Sequence, residues 1–274
     1  MNRNFRSLLE ARWAEGKFDC LGLDSEFCKI PESARRSGVE ATKDLVCAYK
    51  ANLAFYIAHG EEGIVVLRRT INIIRDIAPN VPVILDAKFA DIGNTNASYA
   101  EFAFEYLGAD AVTVNPYLGG EALQPFLDRK DKGIFVLCRT SNPGAGEFQD
   151  RDVMLTDDDQ VIFFGDEQEE DKEWEEWESY LPLYKYVAYR VAREWNKNGN
   201  CAVVVGATYP GELREVRRIV GDMPILIPGV GTQGGDVEKA VREGKNSRGN
   251  GMIININSSR DETLKLHTLI NQYR

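Results

Sequence analysis

A lysine flanked by acidic residues is the most chemically suggestive feature of this chain of 274 residues. Asp86, Lys88 and Asp91 follow a short apolar run at residues 83–85, which is typical of a buried parallel strand. Asp86 and Lys88 are two positions apart, so on an extended backbone their side chains would project from the same side. Asp91 follows after a short bend. The pattern predicts a lysine ammonium held between carboxylates at the end of a rigid strand.

A surface ion pair is the simpler interpretation of this group, and it would be the better one for an isolated D-x-K. The chain, however, continues through Gly93, Asn94 and Thr95, which we expect to form a tight polar turn. A plain connection to the next helix would need only a capping residue. We therefore interpret the stretch as a functional site.

The elements that must position these residues are eight short apolar runs alternating with stretches of helical periodicity. Eight such pairs at this length favour an α/β fold of the (β/α)8 TIM-barrel type, as a single domain over residues 1–274. An open doubly wound sheet is the alternative, but no G-x-G-x-x-G follows the first strand. The predicted strands cover residues 18–23, 46–49, 83–85, 111–114, 133–137, 201–205, 224–227 and 252–256.

Polar residues at the ends of these strands are a second indication of a site. The strand bodies are apolar, whereas nearly every exit carries a polar or charged side chain. One polar exit is ordinary turn chemistry, but in a barrel all the exits meet at the active face and together outline a polar pocket. The exits carry Asp24, Lys50, Asp86, Lys88, Asn115, Ser141, Thr208, Gln233 and Arg260.

The last two exits favour phosphate binding. The segment PGVGTQGG at residues 228–235 is rich in glycine, which lets the backbone approach a ligand and expose its amides. Ser259 and Arg260 are expected at the start of the final helix, where backbone N–H groups and a forked guanidinium suit phosphate oxygens. A glycine-rich turn plus a helix cap is the alternative. We favour phosphate because the two features occur together.

Composition argues against several classes of protein. The hydrophobic share of 43% is enough for a sizeable core. No apolar stretch of about 18 residues and no N-terminal apolar run with a cleavage site is present, so we expect a soluble, cytoplasmic protein without a membrane span. Five cysteines without a C-x-x-C pair argue against a disulfide framework or zinc site, and two histidines argue against a His-based metal site.

The net charge of −10 is concentrated in one segment. Residues 150–178 hold 14 acidic and 2 basic residues, so this segment carries −12 and the rest of the chain +2. No basic stripe is present, which argues against a nucleic-acid surface. A near-neutral body is compatible with an anionic small substrate.

The stretch LDAKFADIGNT at residues 85–95 resembles the D-x-K-x-x-D-I-x-x-T signature of the orotidine 5′-phosphate decarboxylase family. The resemblance covers residues 18–262 apart from the acidic segment, and Phe148-Gln149 after TSNPG resembles the longer bacterial-type branch. A related sugar-phosphate branch shares D-x-K-x-x-D, whereas the ordered set of exits is far more specific. The other similar segments, in order, are GLD at Asp24, YKAN at Lys50, TSNPG at Ser141, VGAT at Thr208, PGVGTQGGD at Gln233 and SSR at Arg260.

The resemblance implies conversion of orotidine 5′-monophosphate to uridine 5′-monophosphate and carbon dioxide in de novo pyrimidine synthesis, without a cofactor or metal. It implies a homodimer with shared active sites, and a proton donated to the pyrimidine C6 by Lys88. The implied catalytic array is Lys50, Asp86, Lys88 and Asp91. Asp91, Ile92 and Thr95 would reach into a partner's site; Asp24 and Lys50 would hold the ribose, Ser141 and Pro228 the pyrimidine, and Gln233 and Arg260 the phosphate, with Thr208, Gly234 and Ser259 also at the substrate.

Two alternatives remain open on the sequence. The first is a magnesium-dependent sugar-phosphate lyase or decarboxylase of the same barrel superfamily, which would need a glutamate ligand near the second strand exit, where this chain has Lys50. The second is a non-catalytic nucleotide-binding barrel. Two carboxylates beside the substrate's own carboxylate would weaken ground-state binding, which argues against a site built only to bind.

Residues 150–181 depart from the family pattern, and we interpret them as an acidic insertion after the fifth strand, on the active face. We expect a solvated excursion with a small apolar anchor at residues 161–164. The segment also holds Trp174, Trp177 and Tyr180 among its acidic residues. A lid, or a contact with a partner protein, is the alternative.

Overall fold

Eight parallel strands close into a barrel at the centre of the protein, as the sequence predicted. The computed structural model describes residues 3–24, 29–164, 179–230, 234–257 and 259–274. The strands are β1 (Asp19–Gly22), β2 (Val46–Asn52), β3 (Val83–Phe89), β4 (Ala111–Val114), β5 (Gly133–Arg139), β6 (Asp152–Met154), β7 (Tyr180–Pro182), β8 (Cys201–Val205), β9 (Ile225–Ile227) and β10 (Met252–Ile256).

The barrel closes on itself in the order β1, β10, β9, β8, β5, β4, β3, β2, and β6 pairs with β7 in a separate antiparallel sheet. β8, β9 and β10 are buried along their whole length. Such near-continuous apolar strands are expected when helices cover the outer face and side chains fill the inside. The first and last barrel strands lie side by side and close the barrel.

Helices connect the strands around the outside. α4 buries Leu67, Ile71 and Ile74 on one face, the spacing by which a helix presents an apolar stripe to a sheet. The helices are α1 (Phe5–Ala14), α2 (Glu32–Thr42), α3 (Leu53–Ile57), α4 (Gly60–Ile77), α5 (Gly93–Glu101), α6 (Gly119–Leu127), α7 (Gly146–Gln149), α8 (Asp157–Phe164), α9 (Leu183–Arg190), α10 (Pro210–Val220), α11 (Val237–Gly244) and α12 (Arg260–Tyr273), with π-helical turns at Phe102–Tyr106 and Val191–Trp195.

The expected polar turn at residues 93–95 is instead the first turn of α5. Ile92 occupies the N-cap position without a side-chain cap, so the usual capping signal is missing from the sequence. The Asn96 side chain supplies the anchor from within the helix, because its amide donates to the carbonyls of Asp91 at 2.6 Å and Ala122 at 2.7 Å.

The N-terminal end of the barrel is fastened by buried charged side chains. Arg217 donates to the carbonyls of Gly221, Met223, Gly244 and Gly251 at 2.6–2.9 Å. Burial lowers the pKa of this guanidinium to about 10, which leaves it protonated at neutral pH. One side chain thus ties together the loops that lead into β9 and β10.

Two buried carboxylates, Asp110 and Asp19, also lie at the N-terminal end of the barrel. Asp110 accepts two hydrogen bonds from the Arg3 guanidinium, both at 2.8 Å, and one from the backbone N–H of Val83 at 2.9 Å. Asp19, at the start of β1, lies 2.9 Å from Nδ1 of His267. Burial raises the pKa of Asp19 and outweighs the opposing effect of His267.

The acidic segment after β5 is folded where the structure describes it. α8 packs against the helix that begins with α9: Phe163 is buried and stacks on Tyr189 at 4.9 Å, and Asp159 pairs with Arg190. The expected apolar anchor is therefore part of a docked helix. Trp174 and Trp177 lie outside the described residues. Within the described ranges, no helix combines the length and the apolar character needed to cross a membrane.

Candidate active site

The carboxylate of Asp86 is the centre of a charged group at the C-terminal end of the barrel. It contacts two ammonium groups: Lys50 Nζ is 3.0 Å from Oδ2, and Lys88 Nζ is 2.7 Å from Oδ1. The Lys50 side chain, on neighbouring β2, is 6% exposed, whereas the Lys88 side chain is 47% exposed. Two cations thus share one carboxylate, and one of them is open to a ligand.

Electrostatic interactions keep this group charged. Burial opposes ionisation of Asp86, but the charges of Lys50 and Lys88 outweigh it and lower the pKa of the carboxyl to about 2. Burial also opposes the charged form of Lys50, while the carboxylates of Asp86 and Asp24 raise the pKa of its ammonium. Asp86 and Lys50 are therefore both ionised at neutral pH.

The backbone at Lys88 departs from the extended strand that the sequence predicted. Its φ angle is 52°, and it is the one non-glycine residue with positive φ among the described ranges. The pairing of β3 with β4 shifts register between Leu85 and Phe89, as a bulge does. Asp86 and Lys88 do touch, but through a strained bulge, and such strain persists only where the surroundings hold it.

Thr113 is a residue of this site that the sequence reasoning missed. It lies on β4 and is 1% exposed. Its hydroxyl donates to Asp86 Oδ1 at 2.9 Å and accepts the backbone N–H of Lys88 at 2.9 Å. The available signal was a single hydroxyl side chain inside the apolar strand AVTV.

Asp24 lies beside this group and is held by a second missed residue, Asn257. The Asn257 amide donates to Asp24 Oδ2 at 2.7 Å. A Cβ atom on Gly22 would lie 1.7 Å from Asn257 Oδ1, so this contact requires glycine there. Asp24 Oδ1 is buried and has no hydrogen-bond partner among the described residues. The carboxylate thus retains an acceptor that a ligand hydroxyl could satisfy.

Asp91, Ile92 and Thr95 form no hydrogen bond or ion pair with Lys50, Asp86 or Lys88 within the described part of their own chain. Asp91 Oδ1 accepts the backbone N–H of Ile92 at 2.7 Å, and Asp86, rather than Asp91, contacts the Lys88 ammonium. Ile92 is 59% exposed at the surface. We expected a carboxylate on each side of Lys88. Within the described part of one chain, only Asp86 pairs with the Lys88 ammonium.

The loops after β5, β8 and β9 bring Ser141, Thr208 and Pro228 to adjacent exits. A Cβ atom on Gly206 would lie 2.7 Å from that of Ser141, so glycine allows these two loops to approach. The Pro228 carbonyl accepts the backbone N–H of Ala207 at 2.8 Å. Thr208 Oγ1 is buried without a partner in the described ranges, which leaves it available to a ligand.

The structure describes three of the four residues that were expected to bind phosphate, namely Gly234, Ser259 and Arg260. Gln233 lies outside the described residues, and Gly234 has a φ of 82°. Ser259 caps α12 in a capping box with Glu262. The Arg260 guanidinium donates to the Ala41 carbonyl at 3.1 Å, so the structure does not bring it into contact with the charged group.

A groove of about 1430 Å³ lies between α6 and α9, beside β5, and is lined by Leu137, Tyr184 and Trp195 among others. None of its lining residues belongs to the charged group around Asp86. We assign the candidate active site to that group, because its buried, paired charges and strained backbone are features of catalytic sites.

A (β/α)8 barrel whose strands deliver a lysine–aspartate–lysine group to their C-terminal ends has the construction of a barrel enzyme. A sequence model of the orotidine 5′-phosphate decarboxylase / HUMPS family matches residues 20–258, and the chain belongs to this family. An orotidine 5′-phosphate decarboxylase from Thermomicrobium roseum is 44% identical over 93% of this chain and 86% of its own.

Solved structures agree with this assignment. The OMP decarboxylase of Leishmania donovani matches with a TM-score of 0.80 and 32% identity, covering 98% of both chains. The UMP synthase of the same organism matches with a TM-score of 0.82 and 34% identity. This chain covers 56% of that longer protein and is itself covered over 99% of its length.

Proposed function

We propose that this protein is a carboxy-lyase that converts orotidine 5′-monophosphate to uridine 5′-monophosphate and carbon dioxide in pyrimidine synthesis, without a cofactor. The observation that carries the proposal is the Asp86 carboxylate between the ammonium groups of Lys50 and Lys88, at 3.0 and 2.7 Å. Relatives that are 42–44% identical over about nine-tenths of the chain carry this activity in their names.

The chemistry requires a cation where a carbanion forms. Loss of carbon dioxide leaves a negative charge on C6 of the pyrimidine. Lys88 faces that position in the proposal: its ammonium stabilises the charge and then donates the proton that completes the product. Its partial exposure lets it reach a ligand, while Asp86 fixes its direction and crowds the departing carboxylate.

One lysine does not account for catalysis. Two unit charges at about 4 Å and an effective dielectric of about 20 interact by about 4 kcal/mol, whereas enzymes lower barriers by up to about 23 kcal/mol. The remainder must come from a preorganised array and from remote binding energy realised in the transition state. Lys50, Asp86 and Asp24 would supply the array.

The remaining residues would bind the rest of the nucleotide. Asp24 and Lys50 would hold the ribose, consistent with the unpartnered, buried Asp24 Oδ1. Ser141 would bond the pyrimidine beside Pro228, and Thr208 offers a free hydroxyl near them. The 5′-phosphate would be bound by Gln233, Gly234, Ser259 and Arg260.

A homodimer with shared sites would complete the array. Asp91 forms no ion pair with Lys88 of its own chain, and Ile92 next to it presents an exposed apolar side chain. Asp91, Ile92 and Thr95 of one protomer would therefore enter the partner's site, in a cytoplasmic enzyme.

The magnesium-dependent lyase is less consistent with the site. That reaction needs a carboxylate ligand at the second strand exit, where Lys50 places a buried ammonium 3.0 Å from Asp86. A cation there would be repelled by a divalent metal at the same carboxylate.

The direct test is the fall in ultraviolet absorbance when orotidylate is added to purified protein in excess chelator. We expect turnover that chelation leaves unchanged. Loss of activity on chelation would favour the metal-dependent lyase, and tight uridylate binding without any turnover would favour the non-catalytic barrel.

Shared sites are tested by mixing two inactive variants, Lys88→Ala and Asp91→Asn, after reversible dissociation. Recovery of about a quarter of wild-type activity is expected, because half of the dimers would be mixed and each would hold one complete site. Lys88→Ala mixed with Asp86→Asn is the matched control, since both defects lie on the same side of a site, and no recovery is expected. If neither mixture recovers activity, Asp91 does not enter the active site of the partner subunit.

The phosphate assignment is tested by Arg260→Ala. We expect kcat/KM to fall by about 10²-fold or more, the scale on which a preorganised donor acts. Arg242→Ala, which removes an exposed arginine paired with Glu238, is the control and should be near normal. A near-normal Arg260→Ala enzyme would refute the assignment.

A further inference from the structure

The buried hydroxyl of Thr113 connects the Asp86 carboxylate to the backbone of Lys88. Thr113 Oγ1 donates to Asp86 Oδ1 and accepts the backbone N–H of Lys88, each at 2.9 Å. A hydroxyl has one hydrogen to donate and accepts through its lone pairs. A carboxylate only accepts and an N–H only donates, so the direction of both bonds is fixed.

The Lys88 N–H needs this partner because the strand ladder is interrupted there. Pairing of β3 with β4 runs through Leu85 and Val112 and resumes at Phe89 and Val114. The Asn115 N–H then donates to the Phe89 carbonyl at 2.9 Å. Between these points the bulge removes the regular backbone acceptor, and the Thr113 side chain takes its place.

The same hydroxyl also limits the rotation of Asp86. Oδ1 accepts from Thr113 and from Lys88 Nζ, while Oδ2 accepts from Lys50 Nζ. Three donors from three strands define the plane of the carboxylate. Removing one of them leaves the ammonium of Lys88 attached to a carboxylate that can turn.

We propose that Thr113 is a positioning residue for decarboxylation, which holds the strained backbone of Lys88 and the plane of Asp86 in one arrangement. It touches no reacting atom and acts through both neighbours. A backbone with a φ of 52° at a non-glycine residue is strained and persists only when its surroundings over-determine it. Thr113 supplies that constraint from inside the barrel.

The test is Thr113→Val, which keeps a β-branched side chain and removes the hydroxyl. Because the proposal rests on the proposed function, wild-type turnover of orotidylate is measured first, and its absence would overturn the proposed function itself. Given wild-type turnover, we expect kcat of T113V to fall by about 10²-fold, the loss that follows a small misplacement of a catalytic group. KM and the dissociation constant for uridylate should change by less than about threefold, because ground-state contacts remain.

Rescue by Thr113→Ser separates positioning from packing. Serine keeps both hydrogen bonds and loses a methyl group, so its kcat should be within about fivefold of the wild type. If T113V does not fold, Thr113→Ala replaces it, and serine should exceed alanine by at least about tenfold in kcat.

Thr70→Val is the matched control, because Thr70 is fully buried on α4 and its hydroxyl donates only to the Val66 carbonyl at 2.8 Å. T70V should leave kcat and KM unchanged. The proposal is overturned if T113V turns over orotidylate as fast as the wild type, or if T113S is as slow as the variants without a hydroxyl.

Discussion

The two ends of the barrel use buried charges in opposite ways. At the N-terminal end, Arg217 donates to four backbone carbonyls and Asp110 accepts from three donors. At the C-terminal end, Asp86 holds two lysines that would repel each other, next to a strained backbone.

The difference shows what each set of charges is for. Charges that are neutralised by carbonyls and by one another lock loops together and leave nothing for a ligand. Charges that contact one another at the strand ends, with Lys88 half exposed, remain available for chemistry. This agrees with the division of labour in such barrels, in which the strand exits react and the opposite end stabilises.

The largest expected contrast is in turnover. Lys88→Ala should lower kcat by about 10⁴-fold or more, since a positioned proton donor contributes about 10²–10⁴ and the lost charge stabilisation adds to it. Uridylate binding should stay measurable, and the melting temperature should fall only slightly, because Lys50 still pairs with Asp86. Steady-state kinetics, calorimetric titration and thermal unfolding provide the readouts, and retained turnover would exclude Lys88 as the proton donor.

At the N-terminal end of the barrel we expect the opposite result, a loss of stability without a loss of activity. Arg217→Met should lower the free energy of unfolding by about 3–5 kcal/mol, because several buried carbonyls lose their donor at about 1–3 kcal/mol each. Among folded molecules kcat/KM should match the wild type. Urea denaturation and active-site titration measure the two quantities, and a stable but inactive R217M would break the comparison.

Lowering the pH should change the stability of the protein in opposite directions through Asp86 and Asp19, which lie at opposite ends of the barrel. The pKa of Asp86 is lowered from its ordinary value of 3.8 to about 2, so its contribution to stability is present above about pH 4 and is lost as the pH falls toward 2. At about 1.4 kcal/mol per unit, this amounts to about 2 kcal/mol. The pKa of Asp19 is raised by burial, so ionisation of Asp19 costs stability, and that cost disappears as the pH falls.

Urea denaturation between pH 6 and 2 checks both signs. The stability of the wild type relative to Asp86→Asn should shrink as the pH falls, whereas its stability relative to Asp19→Asn should grow. Parallel curves for the two variants would contradict the assignment of opposite pKa shifts.

The smallest expected effect concerns strain alone. Lys88→Gly and Lys88→Ala lack the same ammonium, but only glycine adopts a positive φ freely. K88G should therefore be more stable than K88A by about 1 kcal/mol, less than the full left-handed penalty because glycine also loses more chain entropy. Equal unfolding midpoints would show that the bulge is not strained.

The sequence predicted the barrel well because each strand body is a short apolar run between polar exits. The D-x-K spacing also predicted the contact of Asp86 with Lys88. It did not predict the positive φ at Lys88 or the role of Thr113, because both depend on how β3 and β4 align across the barrel. The residue pattern of one strand does not specify how that strand aligns with its neighbour, whereas a register shift is a property of two paired strands.

The contact between Asn257 and Asp24 spans 233 positions of the chain and lies across the seam where β10 meets β1. A polypeptide emerging from the ribosome therefore contains Asp24, the carboxylate proposed to bind ribose, almost from the start, yet cannot orient it through Asn257 until the last barrel strand has been synthesised. Catalytic activity would then depend on synthesis of the chain through residue 257, and a product stopped before that residue would be inactive even if its earlier strands had associated.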